Sequence, residues 1–261
     1  MLAANGWRVF AGVRNEAAAD ELRAISPLIE PITLDVADPG SVNAAAAQVR
    51  EAVGQDGLQG LVNNAGFGIF VPVECLTDEA WESVMNVNVT GVLRCTRALL
   101  PLLRTGERRG RVVNMSSIAG STSFPLFGVY AASKHALEAM SDALRFELED
   151  QRIPVSIVKP GPVVTDIWRR GREGSAQQQV SPEAFRLYGD LMAKTTRLTE
   201  ESEVDGVPAD DVAKVVLHAL TSPRPRSRYL VGKTAPMMHV LRRLLPDVLW
   251  NPMISSYYRR S

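Results

Sequence analysis

The chain has only two cysteines, Cys75 and Cys95, in 261 residues. That excludes a disulfide framework and any cysteine spacing for a structural metal. Both read as buried thiols in a reducing compartment. An excess of one charge is also missing, with 29 Lys+Arg against 29 Asp+Glu. Without surplus cations to neutralise phosphates, a nucleic-acid partner is excluded. No uninterrupted run of about 18 apolar residues occurs, and no basic-then-apolar leader opens the chain. The expected location is cytoplasmic. Internal repeats are absent, and no second domain announces itself.

What is present is ordinary for a soluble globular protein: 46% apolar and 22% charged residues. Short Val/Ile-rich runs alternate with helical patterns. Strands are expected at Trp7–Val13, Pro31–Val36, Gly57–Val62, Arg111–Met115, Pro154–Val158 and Ser227–Gly232. Helices are expected at Glu16–Ala24, Asp38–Val53, Thr77–Leu103 (with Pro101 kinking or ending it), Phe127–Glu149 and Pro208–Leu220, the last capped by Asp210-Asp211. Unbroken apolar strands between helices predict an α/β fold, a Rossmann-like doubly wound parallel sheet flanked by helices in one domain. Ligands bind such sheets at the carboxyl ends of the strands. The exits here are Arg14, Asp35, Asn63 to Gly66, Ser116-Ser117 and Pro160-Gly161.

One loop beyond the fourth of these exits lies Tyr130-Ala-Ala-Ser-Lys134. Residues four apart share a helix face, so both tips reach one spot. A nearby ammonium favours the phenolate and lowers a phenol's pKa. A tyrosine so tuned exchanges a proton with a carbonyl or alcohol oxygen. As a two-residue pattern, the pair also describes a packed tyrosine one turn before a surface lysine.

The rest of the pattern decides. Asn63-Asn64-Ala65-Gly66, Asn88, Ser117, Tyr130, Lys134 and Pro160-Gly161 stand in the order and spacing of the short-chain dehydrogenase/reductase family, which the chain resembles from about Trp7 to Gly232. The resemblance implies catalytic roles for Asn88, Ser117, Tyr130 and Lys134. Tyr130 would be the general acid/base. Lys134 would lower its pKa and hold the nicotinamide ribose. Ser117, thirteen residues before the tyrosine, would bond the substrate oxygen, with Ser116 as its competitor. Asn88 would hold a water in a proton relay; it also reads as a helix-kink asparagine bonded only to backbone, and the two roles are compatible. A donor pair aimed at one oxygen stabilises the alkoxide that hydride transfer creates.

The resemblance also implies a nicotinamide dinucleotide. Asn63, Ala65 and Gly66 would lie beside its adenosine, and Asp35 and Val36 would flank the adenine. Tyr130 and Lys134 would meet its ribose. Pro160, Gly161, Val163 and Thr165 would line the nicotinamide end, although Thr165 reads equally as a helix N-cap. Val13 stands where NAD-preferring members carry an acid, and Arg14 follows it. A guanidinium suits a 2′-phosphate, so NADP(H) is favoured over NAD(H).

The family's first strand and Gly-rich turn have no counterpart. Met1 to Gly6 reads as the last turn of a helix with a glycine stop. The expectation is therefore an upstream natural start, or else a truncated product with weakened cofactor binding. The sheet should then show a gap with unpaired edges.

Within the family, Gly60-Leu-Val-Asn-Asn-Ala-Gly66 and Gly110-Arg-Val-Val-Asn-Met-Ser-Ser117 place the chain nearest the retinol and hydroxysteroid dehydrogenase-like branch. Phe67, Phe70, Phe124, Leu126, Val163 and Trp168 are pocket candidates for a lipophilic alcohol or carbonyl substrate. Residues 1–232 would form the dehydrogenase domain. Within it, 171–207 is a substrate-loop insertion of helices anchored by Trp168, Phe185 and Tyr188. Residues 233–261 would be an amphipathic extension, packing on the cleft, joining a dimer or lying on a membrane. Homodimers or homotetramers are expected through the long helices at Asp78–Leu103 and Phe127–Glu149. The rival readings are a truncated, catalytically impaired nucleotide-binding or scaffolding homologue, and a sugar-nucleotide epimerase, which the short C-terminal region disfavours.

Overall fold

Each crossover of the chain begins with a local signal that the structure, a computed structural model describing residues 1–176, 178 and 180–259, makes explicit. β1 (Val9–Val13) leads into α1 (Glu16–Ile25), which Asn15 caps through its side chain. β2 (Ile29–Thr33) leads into α2 (Pro39–Val53), where the Asp38 carboxylate accepts from the amides of Gly40 and Ser41. That cap, with Pro39 in the first turn, satisfies donors that the helix itself leaves open. β3 (Leu61–Asn63) is followed by α3 (Asp78–Met85), capped by Thr77. α4 (Val92–Leu103), β4 (Val112–Met115), α5 (Gly128–Glu147) and β5 (Val155–Pro160) continue the alternation. Then come α6 (Ile167–Ala176), α7 (Pro182–Asp205), α8 (Ala209–Thr221), β6 (Arg228–Val231), α9 (Thr234–Leu244) and α10 (Asp247–Arg259).

All strand pairs are parallel. β3-β4-β5-β6 form one sheet and β1-β2 another, with no ladder between them among the described residues. The expected gap therefore lies between β1 and β3. Every residue of β5 is buried, as a parallel strand covered on both faces requires. On one face, Val113 and Val158 pack against Val212, Val216 and Leu220 of α8. On the other, Val112 and Val155 meet Leu103 and Leu148. These two layers hold β4 and β5 rigid, and the candidate site stands on their carboxyl ends.

Several expectations needed correction. The second strand runs Ile29–Thr33, because its register is set by β1 and the Asp35 carboxylate then turns the chain by accepting from Ala37. The helix expected from Thr77 to Leu103 is interrupted by a π-helical segment, Asn86–Gly91, whereas Pro101 sits inside its last turn without ending it. Pro160 belongs to β5, paired with Val231, and not to its exit. Asp210 and Asp211 lie in the first turn of α8 without capping it. They favour the helix dipole only. Among the described residues of 171–207, α6 and α7 are the helices; Phe185 on α7 is exposed, while Trp168 packs beside Phe70.

Candidate active site

The carboxyl ends of β3, β4 and β5 open into a cleft of about 1080 Å³. Ser117 follows β4, and Tyr130 and Lys134 come from the first turns of α5. All three line the cleft. The Ser117 hydroxyl lies close enough to the Tyr130 phenol to pull its pKa down, and it accepts from the amide of Ala119 at 3.2 Å. Ser116 also lines the cleft, but it serves a different partner. Its hydroxyl turns inward and donates to Glu138 at 2.8 Å.

Tyr130 and Lys134 are both buried. Burial pushes the Tyr130 phenol up, against a smaller downward pull from Ser117. This reverses the direction expected from the lysine: the Lys134 ammonium stands 5.7 Å from the ring centroid and reaches instead to the carbonyl of Met115 at 2.8 Å. Burial lowers Lys134 to about 8. Without a ligand, the phenol thus holds its proton near neutral pH.

Asn88 lies in the π-helical segment and is fully buried. Its side chain clamps Phe67, accepting from the amide at 3.0 Å and donating to the carbonyl at 2.9 Å. It also donates to Ser133 at 2.9 Å, whose hydroxyl donates to the Tyr130 carbonyl at 2.7 Å. Both amide protons are spent in this clamp, which ties the π-helical segment to the Phe67 backbone. The Asn88 oxygen and the Lys134 nitrogen close on Gly66, where a Cβ would stand 3.2 Å and 3.4 Å from them. Only glycine leaves the strand exit open at that point.

The dinucleotide residues divide in two. Gly66, Tyr130, Lys134, Pro160, Gly161, Val163 and Thr165 line the cleft. Lys134 donates to the Met115 carbonyl there, and a buried ammonium with donors to spare fits ribose hydroxyls. Arg14, Asp35, Val36, Asn63 and Ala65 do not line it. Asn63 turns down into the sheet, donating to Asn114 at 2.8 Å and to Thr96 at 3.2 Å, while Asn64 faces the cleft in its place. Val36 packs against Gly91, where a Cβ would stand 2.8 Å from it, and its carbonyl accepts from Arg94. Arg14 is exposed at the end of β1. The nicotinamide end therefore fits the group. At the pyrophosphate end the described residues offer no Gly-rich turn leading into a helix N-terminus.

Of the apolar candidates, Phe70, Phe124, Val163 and Trp168 line the cleft; Phe67 packs on Ile69 and Val71 instead, and Leu126 sits behind Phe70. Phe70 is held by tilted contacts to Phe127 at 4.4 Å and Trp168 at 6.1 Å, and its ring lies so close to Gly171 that a Cβ there would meet it at 2.3 Å. The Trp168 indole donates to the Val163 carbonyl at 2.7 Å, which fixes its face toward the cleft. The roof comes from Thr195 and Leu198 of α7 and from Met253, Ile254 and Tyr258 of α10, individual residues that the sequence reading had not singled out. α10 thus packs over the cleft. Sequence reading also missed Glu138, one turn after Lys134. Glu138 stands 2.7 Å from Lys159, an ion pair too poorly aligned to count as a hydrogen bond, and 3.4 Å from Arg228. The i+4 spacing from Lys134 was its only signal.

This geometry matches known proteins. The family model described as short chain dehydrogenase matches residues 1–176. An NADPH-dependent 3-dehydrocapnine reductase from Ornithobacterium rhinotracheale is 32% identical over 94% of this chain and 86% of its own. Human retinol dehydrogenase 16 is 37% identical over 95% of this chain and 80% of its own. The crystal structure of a short-chain dehydrogenase from Streptomyces avermitilis superimposes with a TM-score of 0.79 at 28% identity, covering 98% of this chain and 88% of that one. With the serine, tyrosine and lysine gathered on one cleft of a parallel sheet, the chain belongs to the short-chain dehydrogenase/reductase family.

Proposed function

We propose that the protein is an NADP(H)-dependent oxidoreductase interconverting a lipophilic secondary alcohol and its ketone. The observation that carries this is the placing of Ser117 and Tyr130 on one mostly apolar cleft, with the buried Lys134 beside them. A bound nicotinamide dinucleotide would supply or accept the hydride. Ser117 and Tyr130 present two hydroxyls to one substrate oxygen, and Tyr130 gives or takes the proton. Lys134 would hold the nicotinamide ribose, and its positive charge favours the phenolate once Tyr130 releases its proton. Asn88 keeps the Gly66–Phe67 turn in place through the Phe67 backbone. Phe70, Phe124 and Trp168 exclude water and receive the hydrocarbon part of the substrate.

Arg14 supports NADP(H), as does the cofactor named for the similar 3-dehydrocapnine reductase. The retinol dehydrogenase relative supports a lipophilic substrate. Titration with NADPH and NADH, followed by a panel of carbonyl compounds, tests the reading. Binding of neither cofactor would falsify it. The sheet's gap beside the pyrophosphate end supports the second reading, an impaired nucleotide-binding homologue, for which cofactor binding without turnover on any carbonyl is the expected result.

A homo-oligomer through α3, α4 and α5 is supported by Trp81, Leu93 and Phe146, all exposed on those helices. Sedimentation of Phe146→Asp would give a lighter species than wild type. Outward-facing Val240, Leu244, Val248 and Leu249, next to Arg242 and Arg243, support peripheral membrane contact. Co-flotation with anionic vesicles tests it, and protein left in the dense fraction rejects it. We place the protein in the cytoplasm on its two free thiols.

A further inference from the structure

A second cavity of about 210 Å³ lies under α6 and α7. Phe70, Thr195 and Thr199 line both it and the main cleft, whereas Tyr130 faces only the cleft. Its walls are mostly apolar, with Leu126, Ala176 and Met192 among them. Polar residues interrupt them, and two of these, Thr195 and Arg172, keep a buried atom unpaired among the described residues.

The first is Thr195, 3% exposed, whose hydroxyl has no partner among the described residues. Hydroxyls inside helices ordinarily bond back to a carbonyl of the preceding turn. On the same helix Thr199 does so to Thr196 and Ser202 to Leu198, each at 2.7 Å. Thr195 does not. The second is Arg172. One terminal nitrogen pairs with Glu203 at 2.5 Å, while the other, Nη1, is buried without a partner among the described residues. Ser175, which also lines the cavity, is already used: it donates to the Gly171 carbonyl and accepts from the Phe70 amide, both at 2.7 Å.

A buried donor left unpaired costs its full desolvation. Guanidinium nitrogens only donate, so the missing partner is an acceptor; a threonine hydroxyl can meet the same atom as donor. Glu203 already balances the charge of Arg172, so the cavity does not require an anion. We propose that this cavity is a second polar subsite, which takes a neutral acceptor oxygen, hydroxyl or carbonyl, at the end of a lipophilic substrate remote from the reacting carbon. The assignment rests on the reading of the main cleft as a substrate site. Thr195 and Arg172 then select doubly oxygenated lipophiles over singly oxygenated ones of the same length.

The test is a ligand titration followed by tryptophan fluorescence, Trp168 being in the cleft wall. The probes are linear α,ω-diols and the matching primary alcohols over a series of chain lengths. The readout is the ratio of the diol's Kd to the alcohol's Kd, in which differences in hydration cancel between variants. At the chain length that spans the two cavities, Thr195→Val and Arg172→Met each raise this ratio about tenfold, one hydrogen bond's worth. Thr195→Ser, which keeps the hydroxyl, retains the wild-type ratio. If the ratio is the same in wild type and Thr195→Val at every length, the subsite is rejected and the oxidoreductase reading stands. If neither alcohols nor diols bind, the cleft is no site for lipophiles and both readings fall. Should Arg172→Met not fold, the near-isosteric Thr195→Val decides alone.

Discussion

The ammonium of Lys134 donates to the carbonyl of Met115 at 2.8 Å, joining the first turns of α5 to the last residue of β4. Ser117 leaves β4 two residues later. The bond therefore sets the spacing between the lysine and the serine–tyrosine pair, and holds a charge in a buried place before any ligand arrives.

That charge is costly. Lys134 titrates at about 8 in the folded chain against 10.5 ordinarily. Below pH 8 both states carry the proton and the full penalty applies. As pH rises from 8 toward 10.5 the folded state sheds its proton while the unfolded state keeps it, so folding stability rises. Lys134→Met should therefore stabilise the ligand-free protein at pH 7 by up to about 3 kcal/mol, with the gain vanishing toward pH 10. Urea denaturation of both proteins across that range checks the slope. The same variant should lose turnover.

Tyr130→Phe should lower kcat by about 10²- to 10⁴-fold, the usual contribution of one proton-transfer group. Ser117→Ala should cost about 10²- to 10³-fold. It also removes the hydroxyl that pulls the Tyr130 phenol down. The alkaline limb of alcohol oxidation, where the phenolate is the active form, should then move to higher pH. A pH–rate profile with an unmoved limb would show that Ser117 does not act on Tyr130.

Glu138 compensates the buried Lys159, and its oxygens also take Ser116 and Arg228. Glu138→Ala leaves the ammonium unpaired in the core and should destabilise the fold by about 3–5 kcal/mol. Combining it with Lys159→Met should recover much of the loss. A double-mutant cycle by thermal unfolding measures the coupling; additive effects would contradict it.

Arg14 is exposed at the exit of β1. If it meets a 2′-phosphate, Arg14→Glu should weaken NADPH at least tenfold, since hydrogen bonds to charged groups contribute about 1.5–3 kcal/mol, and leave NADH nearly unchanged. Equal losses for both cofactors would remove Arg14 from cofactor choice.

Much of this protein was legible as sequence because its signals are local. Asp38-Pro39 and Thr77 started helices where expected, since a cap is made by residues within one turn. The apolar β4 and β5 announced a covered parallel sheet. The spacing of Tyr130 and Lys134 put both on one face of α5, and the motif order placed Ser117 opposite them. Other features depended on groups far apart in the chain. Asn63 and Asn64 are indistinguishable as letters; only packing against Asn114 and Thr96 turned one into the sheet and left the other in the cleft. Whether Lys134 raises or lowers its surroundings depended on how deeply α5 is covered, and burial outweighed the expected charge effect on Tyr130. The π-helical segment appeared only through the clamp of Asn88 on Phe67. The sequence determined which residues are able to handle a proton. The tertiary structure decided what surrounds them, because desolvation and pairing are properties of neighbours that the chain brings together only by folding.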